Sequence, residues 1–213
     1  MNVGLVGTGN IGETLARHLV AAGHDVILSN SREPESLADL VEELGEHACA
    51  ATPAEAVDHA ELVVLALPWR ARDELPDAAL FAEKVVIDAT NPYSAEFEVI
   101  DLGEETASEA IAEQLPDARL VKAFNTMHWE TLRDESRPEA PAEDRLVVFM
   151  AGDDRRAKDI VADLVREIGF VAMDTGGLVE GGRLQEPGST IYNRPMSPPE
   201  AREVLGERRG STD

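Results

Sequence analysis

At 213 residues the chain is long enough for one large domain that buries roughly 70% of its extended-chain surface, and short for two. A hydrophobic share of 43% fits a globular core, no apolar run reaches the roughly 20 residues of a membrane span, and Met1-Asn2-Val3 lacks the basic segment of a signal peptide. The formal charge of −23 argues against a nucleic-acid or anionic-membrane partner, because no basic stripe exists to displace phosphate counterions. Cys49 is the single cysteine, so no intrachain disulfide forms and a reducing cytoplasm is the expected setting. Lysine occurs only at Lys84, Lys122 and Lys158, so arginine carries nearly all the positive charge and an anionic ligand must be held by local donors.

Val3 to Val6 reads as a buried strand, and Ile11, Leu15 and Leu19 then recur every four residues as a helix stopped at Gly23. A second strand covers Val26 to Leu28, followed by a helix through Leu37, Leu40, Val41 and Leu44 that Gly45 closes. Weak β character lies at Ala48 to Ala51, and stronger strands at Leu62 to Leu67 and Val85 to Ile87. Ala107 to Gln114 reads as a helix, Leu120 to Phe124 as the sixth strand, and Asp134 to Arg145 as an acidic surface loop. Leu146 to Met150 is the next strand. Asp153 or Asp154 can cap a helix lined by Ile160, Leu164 and Ile168, and Phe170 to Met173 is the last strand. Strands alternating with helices predict an α/β, Rossmann-type doubly wound fold with a mostly parallel sheet of about eight strands. The nucleotide-binding domain is expected over 1–185, with 186–213 a short, partly disordered extension whose tail from Arg208 is unstructured.

Gly7-Thr8-Gly9-Asn10-Ile11-Gly12 fits G-x-G-x-x-G directly after a buried strand and at the start of an amphipathic helix, the context in which the motif binds a dinucleotide. Gly7 permits the tight turn, Gly9 lets the backbone approach the pyrophosphate, and Gly12 lets helix and strand pack closely. The helix N-terminus offers N–H groups and a positive dipole end to the phosphates. At the end of the second strand an NAD site usually places a carboxylate for the ribose hydroxyls, but this chain has Ser29-Asn30-Ser31-Arg32. Two hydroxyls, an amide and a guanidinium suit a 2′-phosphate, which a carboxylate would repel, so the cofactor expected is NADP(H).

Leu67-Pro68-Trp69, Ala89-Thr90-Asn91-Pro92 and Phe124-Asn125-Thr126-Met127-His128 follow the ends of strands, where open α/β sheets bind ligands. Asn91, Asn125 and Thr126 offer neutral hydrogen bonds, while Trp69 and Phe124 offer flat apolar surface. No nucleophile stands in a recognised setting, His47 with Cys49 is too small a set for a metal, and His128 is a poor candidate proton donor. Hydride transfer between two rings needs alignment and exclusion of water more than an acid or base, so the sparse cleft is compatible with it.

On these motifs, joined by Gly152-Asp153-Asp154, Asp174-Thr175-Gly176-Gly177-Leu178 and Arg183-Leu184, the chain resembles NADPH-dependent reductases of the deazaflavin coenzyme F420 from Val3 to about Gln185. The resemblance implies hydride exchange between NADP(H) and F420, with Thr8, Ser31 and Arg32 on the 2′-phosphate and Pro68 and Asn125-Thr126 beside the nicotinamide. It also implies that Gly176-Gly177-Leu178 closes over the second ring, and it suggests a homodimer with Leu178 and Ile191 at the contact. Archaeal members of that family commonly carry His-Thr where this chain has Asn125-Thr126. The Phe124-Asn125-Thr126 version is similar to the reductase domain of membrane metalloreductases, which keeps a flavin or ferric chelate open as the small-molecule acceptor. An NADP(H)-sensing module without turnover is a third reading. Pyrroline-5-carboxylate reductase and β-hydroxyacid dehydrogenases share the turn but need a helical second domain of about 100 residues, for which this chain has no room.

Overall fold

A computed structural model describes the backbone of residues 1–210 and the side chains up to 206. Eight strands form one sheet: β1 (Asn2–Val6), β2 (Asp25–Ser29), β3 (Ala48–Ala50), β4 (Leu62–Leu65), β5 (Val85–Asp88), β6 (Arg119–Ala123), β7 (Val147–Ala151) and β8 (Val171–Gly176). Their order is β3-β2-β1-β4-β5-β6-β7-β8, and β1 to β6 run parallel. β1 lies between β2 and β4, so the chain reverses its winding there and opens a crevice beyond the carboxyl ends of those strands. β4 and β5 are buried at every position, which is why they read as unbroken apolar runs in the sequence.

Helices cover both faces: α1 (Asn10–Ala21), α2 (Ala38–Leu44), α3 (Pro53–Asp58), α4 (Ala107–Gln114), α5 (Trp129–Asp134), α6 (Arg155–Glu167), α7 (Glu180–Arg183) and α8 (Pro198–Gly210). One core cluster gathers Leu15 and Leu19 of α1 with Val161 and Leu164 of α6 and the face of the sheet carrying Leu5 and Leu28. On the other face, Val57 of α3 and Ile111 of α4 pack with Val63, Leu65 and Phe81. Both α3 and α4 begin at a reciprocal cap, Thr52 with Glu55 and Thr106 with Glu109, which anchors helices too short to hold by propensity alone. Asp154 caps α6 and also meets Arg119 at 2.6 Å, and that guanidinium holds its carboxyl well below the usual carboxylate range. No helix among the described residues is long and apolar enough to cross a membrane.

The sheet departs from expectation beyond β6. β7 runs antiparallel to β6, pairing Lys122 with Ala151, and β8 runs parallel to β7. β8 also reaches Gly176, past the predicted end at Met173. The segment after Gln185, predicted to be partly disordered, carries α8, which seats Ala201, Val204 and Leu205 with Ile191 and Met196 against Val147 and Phe149. Of the predicted tail, Arg208–Gly210 belong to α8, and 211–213 lie outside the described residues. Leu178 and Ile191 are 6% and 1% exposed, so neither offers the dimer contact expected of it; both are core residues.

The β1–α1 turn fixes where the crevice begins. Gly7 sits at φ +105°, and a Cβ on Gly12 would collide with the carbonyl oxygen of Gly7, whereas one on Gly9 meets nothing within 4 Å. Gly12→Ala should therefore cost about 1–3 kcal/mol through overpacking. Thermal unfolding is expected to show a clear fall in melting temperature for Gly12→Ala and almost none for Gly9→Ala.

Candidate functional site

Loops at the carboxyl ends of β1, β2, β4, β5 and β6 enclose a cleft of about 930 Å³, near the top of the range for small-molecule sites. One end is the glycine turn. The Gly7 N–H donates to the Ser29 carbonyl at 3.0 Å, and α1 starts from Gly9 with no side chain capping it. Its first N–H groups are thus left for an anion, and the bare Gly9 leaves space for one to come close.

Beyond β2 the side chains divide. Ser29 is fully buried and its hydroxyl donates to the Leu5 carbonyl at 2.7 Å, so of the two predicted hydroxyls only that of Ser31 reaches the cleft. Asn30 shapes the turn, accepting from the Arg32 backbone N–H at 2.8 Å. The Arg32 side chain is exposed at the cleft wall, and its guanidinium has no ion-pair or hydrogen-bond partner among the described residues. It carries an uncompensated positive charge where an NAD site holds a carboxylate.

The opposite wall comes from three loops and the C-terminal segment. Pro68 ends the β4 loop and starts a two-turn 3-10 helix in which Arg72 stacks 4.6 Å from the centre of the Trp69 ring. After β5 and β6, Asn91 and Asn125 cross-link: Asn91 Nδ2 donates to the Asn125 carbonyl at 3.0 Å, and Asn125 Nδ2 to Asn91 Oδ1 at 3.1 Å. Asn125 Nδ2 also donates to the Gln185 carbonyl at 2.8 Å, and the Asn193 N–H to the Thr126 carbonyl at 2.8 Å. These bonds bring residues 185–193 against the cleft and place Tyr192 in its lining.

A buried ionic knot lies beneath this wall. Asp88 and Lys122 occupy paired positions on β5 and β6, both 0% exposed, with Lys122 Nζ 3.6 Å from Asp88 Oδ2. The Asp88 carboxylate also accepts from the Thr90 N–H (2.9 Å), the Thr90 hydroxyl (2.6 Å) and the Ser108 hydroxyl (2.5 Å). Glu186 approaches Lys122 at 3.8 Å and accepts from the Ala107 N–H at 3.1 Å. The Asp88–Lys122 pair is thus charge-compensated and hydrogen-bonded, the condition under which such groups tolerate burial, while Glu186 is part-exposed.

The structure thus gathers Gly7, Thr8, Gly9, Asn10, Ile11, Asn30, Ser31, Arg32, Leu67, Pro68, Asn91 and Asn125 around one space. Gly12 and Thr126 stand just behind it, one packing helix on strand and the other holding Asn193 by its carbonyl. Trp69 and Phe124 reach the lining but are nearly fully buried, so they belong mainly to the core and show the cleft little of their rings. Gly176, Gly177 and Leu178 are not in the cleft. Since β8 follows the reversed β7, its end lies with Gly152 and Asp153 at the other edge of the sheet, where the Leu178 N–H meets Asp153 at 3.1 Å. The aromatic and charged surface is supplied instead by Tyr93, Phe97, Trp129, Tyr192 and Arg70. Tyr93 could have been found as the neighbour of Asn91-Pro92; nothing in the sequence marks Tyr192, because tertiary bonds alone bring it there. His128 does line the cleft, half-exposed, with Nδ1 3.5 Å from Glu130.

A family model described as NADP oxidoreductase, coenzyme F420-dependent, matches residues 2–92. The F420-dependent NADP reductase of Methanothermobacter marburgensis is 36% identical over 199 residues, covering 85% of this chain and 86% of that one. Metalloreductase STEAP3 of Rattus norvegicus is 29% identical over 184 residues, 86% of this chain; the match spans 35% of that longer protein. Among solved structures, a Sinorhizobium meliloti protein superposes with a TM-score of 0.82 at 29% identity, over 92% of this chain and 95% of that one. An Arthrobacter protein assigned as an F420-dependent NADP reductase gives 0.74 at 26% identity, over 92% and 99%. By this kinship, which takes in the glycine turn and Arg32, the chain belongs to the coenzyme F420-dependent NADP oxidoreductase family and is an NADP(H)-dependent oxidoreductase.

Proposed function

We propose that the chain transfers a hydride between NADP(H) and the deazaflavin coenzyme F420. The observation that carries the cofactor half is the unpartnered Arg32 guanidinium beside Ser31, a site for the 2′-phosphate. The acceptor half rests on the kinship at 36% identity to an F420-dependent NADP reductase along most of both chains. The residues present fit the nucleotide: the open Gly9 backbone and the α1 N-terminus would take the pyrophosphate, and Thr8 would join Ser31 and Arg32 on the 2′-phosphate. Pro68 and the Asn91–Asn125 cross-link, tied by two hydrogen bonds, would hold the nicotinamide. NADPH supplies the hydride, and the protein supplies alignment and a dry wall.

A second reading keeps NADPH and replaces the deazaflavin by a flavin or a ferric chelate. The likeness to a metalloreductase over 86% of this chain supports it.

Absorbance at 340 nm separates these readings when NADPH and protein are mixed with each acceptor in turn. Oxidation with F420 alone is the expected result; oxidation with flavin or ferric chelate alone moves the assignment to the second reading. Tight NADPH binding without any turnover marks an NADP(H)-binding module. Arg32→Asp should weaken NADPH at least about ten-fold, the loss of a charge-assisted bond plus repulsion, and leave NADH within about two-fold. Equal losses for both nucleotides, measured by titration, would remove Arg32 from the 2′-phosphate.

A further inference from the structure

Tyr93 and Tyr192 come from loops almost a hundred positions apart, yet their hydroxyls meet at 3.1 Å on the cleft wall. Two hydroxyls carry two protons, and the bond between them uses one. The other proton has no acceptor among the described residues. We infer that the Tyr93–Tyr192 pair is the donor for the hydride acceptor: it gives its spare proton in a hydrogen bond to a ring carbonyl, and so selects planar acceptors whose rings bear one. This rests on reading the cleft as a hydride-transfer site.

Several neighbouring donors are already committed. Asn125 spends both amide protons on Asn91 and Gln185, the Thr90 hydroxyl goes to Asp88, and that of Ser94 to Glu96. The pair is also held in place. The Tyr93 N–H donates to the Asn91 carbonyl at 2.8 Å, the Tyr192 N–H to the Ser189 carbonyl at 3.2 Å, and Asn193 is tied to Thr126. Both rings therefore stand on the Asn91–Asn125 cross-link. Burial, then the bond to Tyr93, pushes the Tyr192 hydroxyl above its ordinary pKa, so that hydroxyl keeps its proton at neutral pH.

The chemistry balances simply. A hydride leaves NADPH with its electron pair, giving NADP⁺, and bonds to the acceptor ring; negative charge then collects on the conjugated carbonyl oxygen. A preset neutral donor there stabilises that charge more than the starting carbonyl, and the proton that completes reduction comes from solvent.

Tyr192→Phe and Tyr93→Phe keep ring volume and remove one hydroxyl each. Dissociation constants are measured by fluorescence for riboflavin, a 5-deazaflavin, and phenazine, a tricycle without ring carbonyls. In Tyr192→Phe the two carbonyl-bearing rings should bind about five-fold more weakly, with phenazine and NADPH within about two-fold. Tyr93→Phe should show a smaller loss in the same direction. An equal loss for phenazine would make the pair mere packing, and no loss, or no binding of any tricycle by the unaltered protein, would overturn the inference. If the rings bind but NADPH is not consumed, the hydride-transfer reading fails, while the hydroxyl pair is judged on binding alone.

Discussion

Under the floor of the cleft two opposite charges, Asp88 and Lys122, are shut away from water on adjacent strands, and three segments around the acceptor half are fastened to them. Asp88 holds the Thr90 backbone and the start of α4 through Ser108, and Lys122 draws in Glu186 from the returning chain. Burying an ion pair contributes little net stability once desolvation is counted, but losing one partner leaves a lone charge in an apolar interior. The arrangement therefore penalises any packing in which these three segments do not converge. Asn91, Asn125 and the residues after Gln185 can then meet with defined hydrogen bonds, not as loose loops.

Much of the nucleotide half was legible, because it is local. A strand, a glycine turn and an amphipathic helix are consecutive, and Ser31-Arg32 follows the next strand directly, so residue spacing alone brings them together. What spacing could not show was where each side chain points: Ser29 turns inward to Leu5, taking one expected phosphate donor with it. The acceptor half was much less legible. A fully buried strand such as Val147 to Ala151 has the same apolar run in either direction, so its reversal was invisible, and the glycines after β8, expected over the second ring, stand outside the cleft lining. The extension read as disordered because its prolines hid the apolar positions Ile191, Met196, Val204 and Leu205, which only the exposed flank of β7 and β8 makes into a core.

Charge sharpens the contrast between the halves. Among the described residues, six arginines outside the cleft are paired with acidic neighbours, as Arg17 is with Glu13 and Glu43 and Arg166 with Asp163. Arg32 and Arg70 face the cleft with no partner among the described residues. In a chain of net charge −23 these two guanidinium groups are local reversals of a repulsive field. Salt screens that field over about 10 Å at 0.1 M, so an anionic cofactor should meet a lower entry barrier as ionic strength rises, until its own contact with Arg32 is screened as well.

The reversal of β7 and β8 divides the molecule by chain order as well as by position. The chain reaches the far edge of the sheet at Gly176 and must climb back along α7 before Gln185 and Tyr192 can take their places. Every group on the phosphate-binding wall is laid down before β5, whereas the acceptor wall is completed by a return strap attached at a few bonds to Asn125, Thr126 and Lys122. Such a strap is an exchangeable cassette. Replacing it changes what sits opposite the nicotinamide while the dinucleotide cradle stays intact, a route by which one scaffold could serve several electron acceptors.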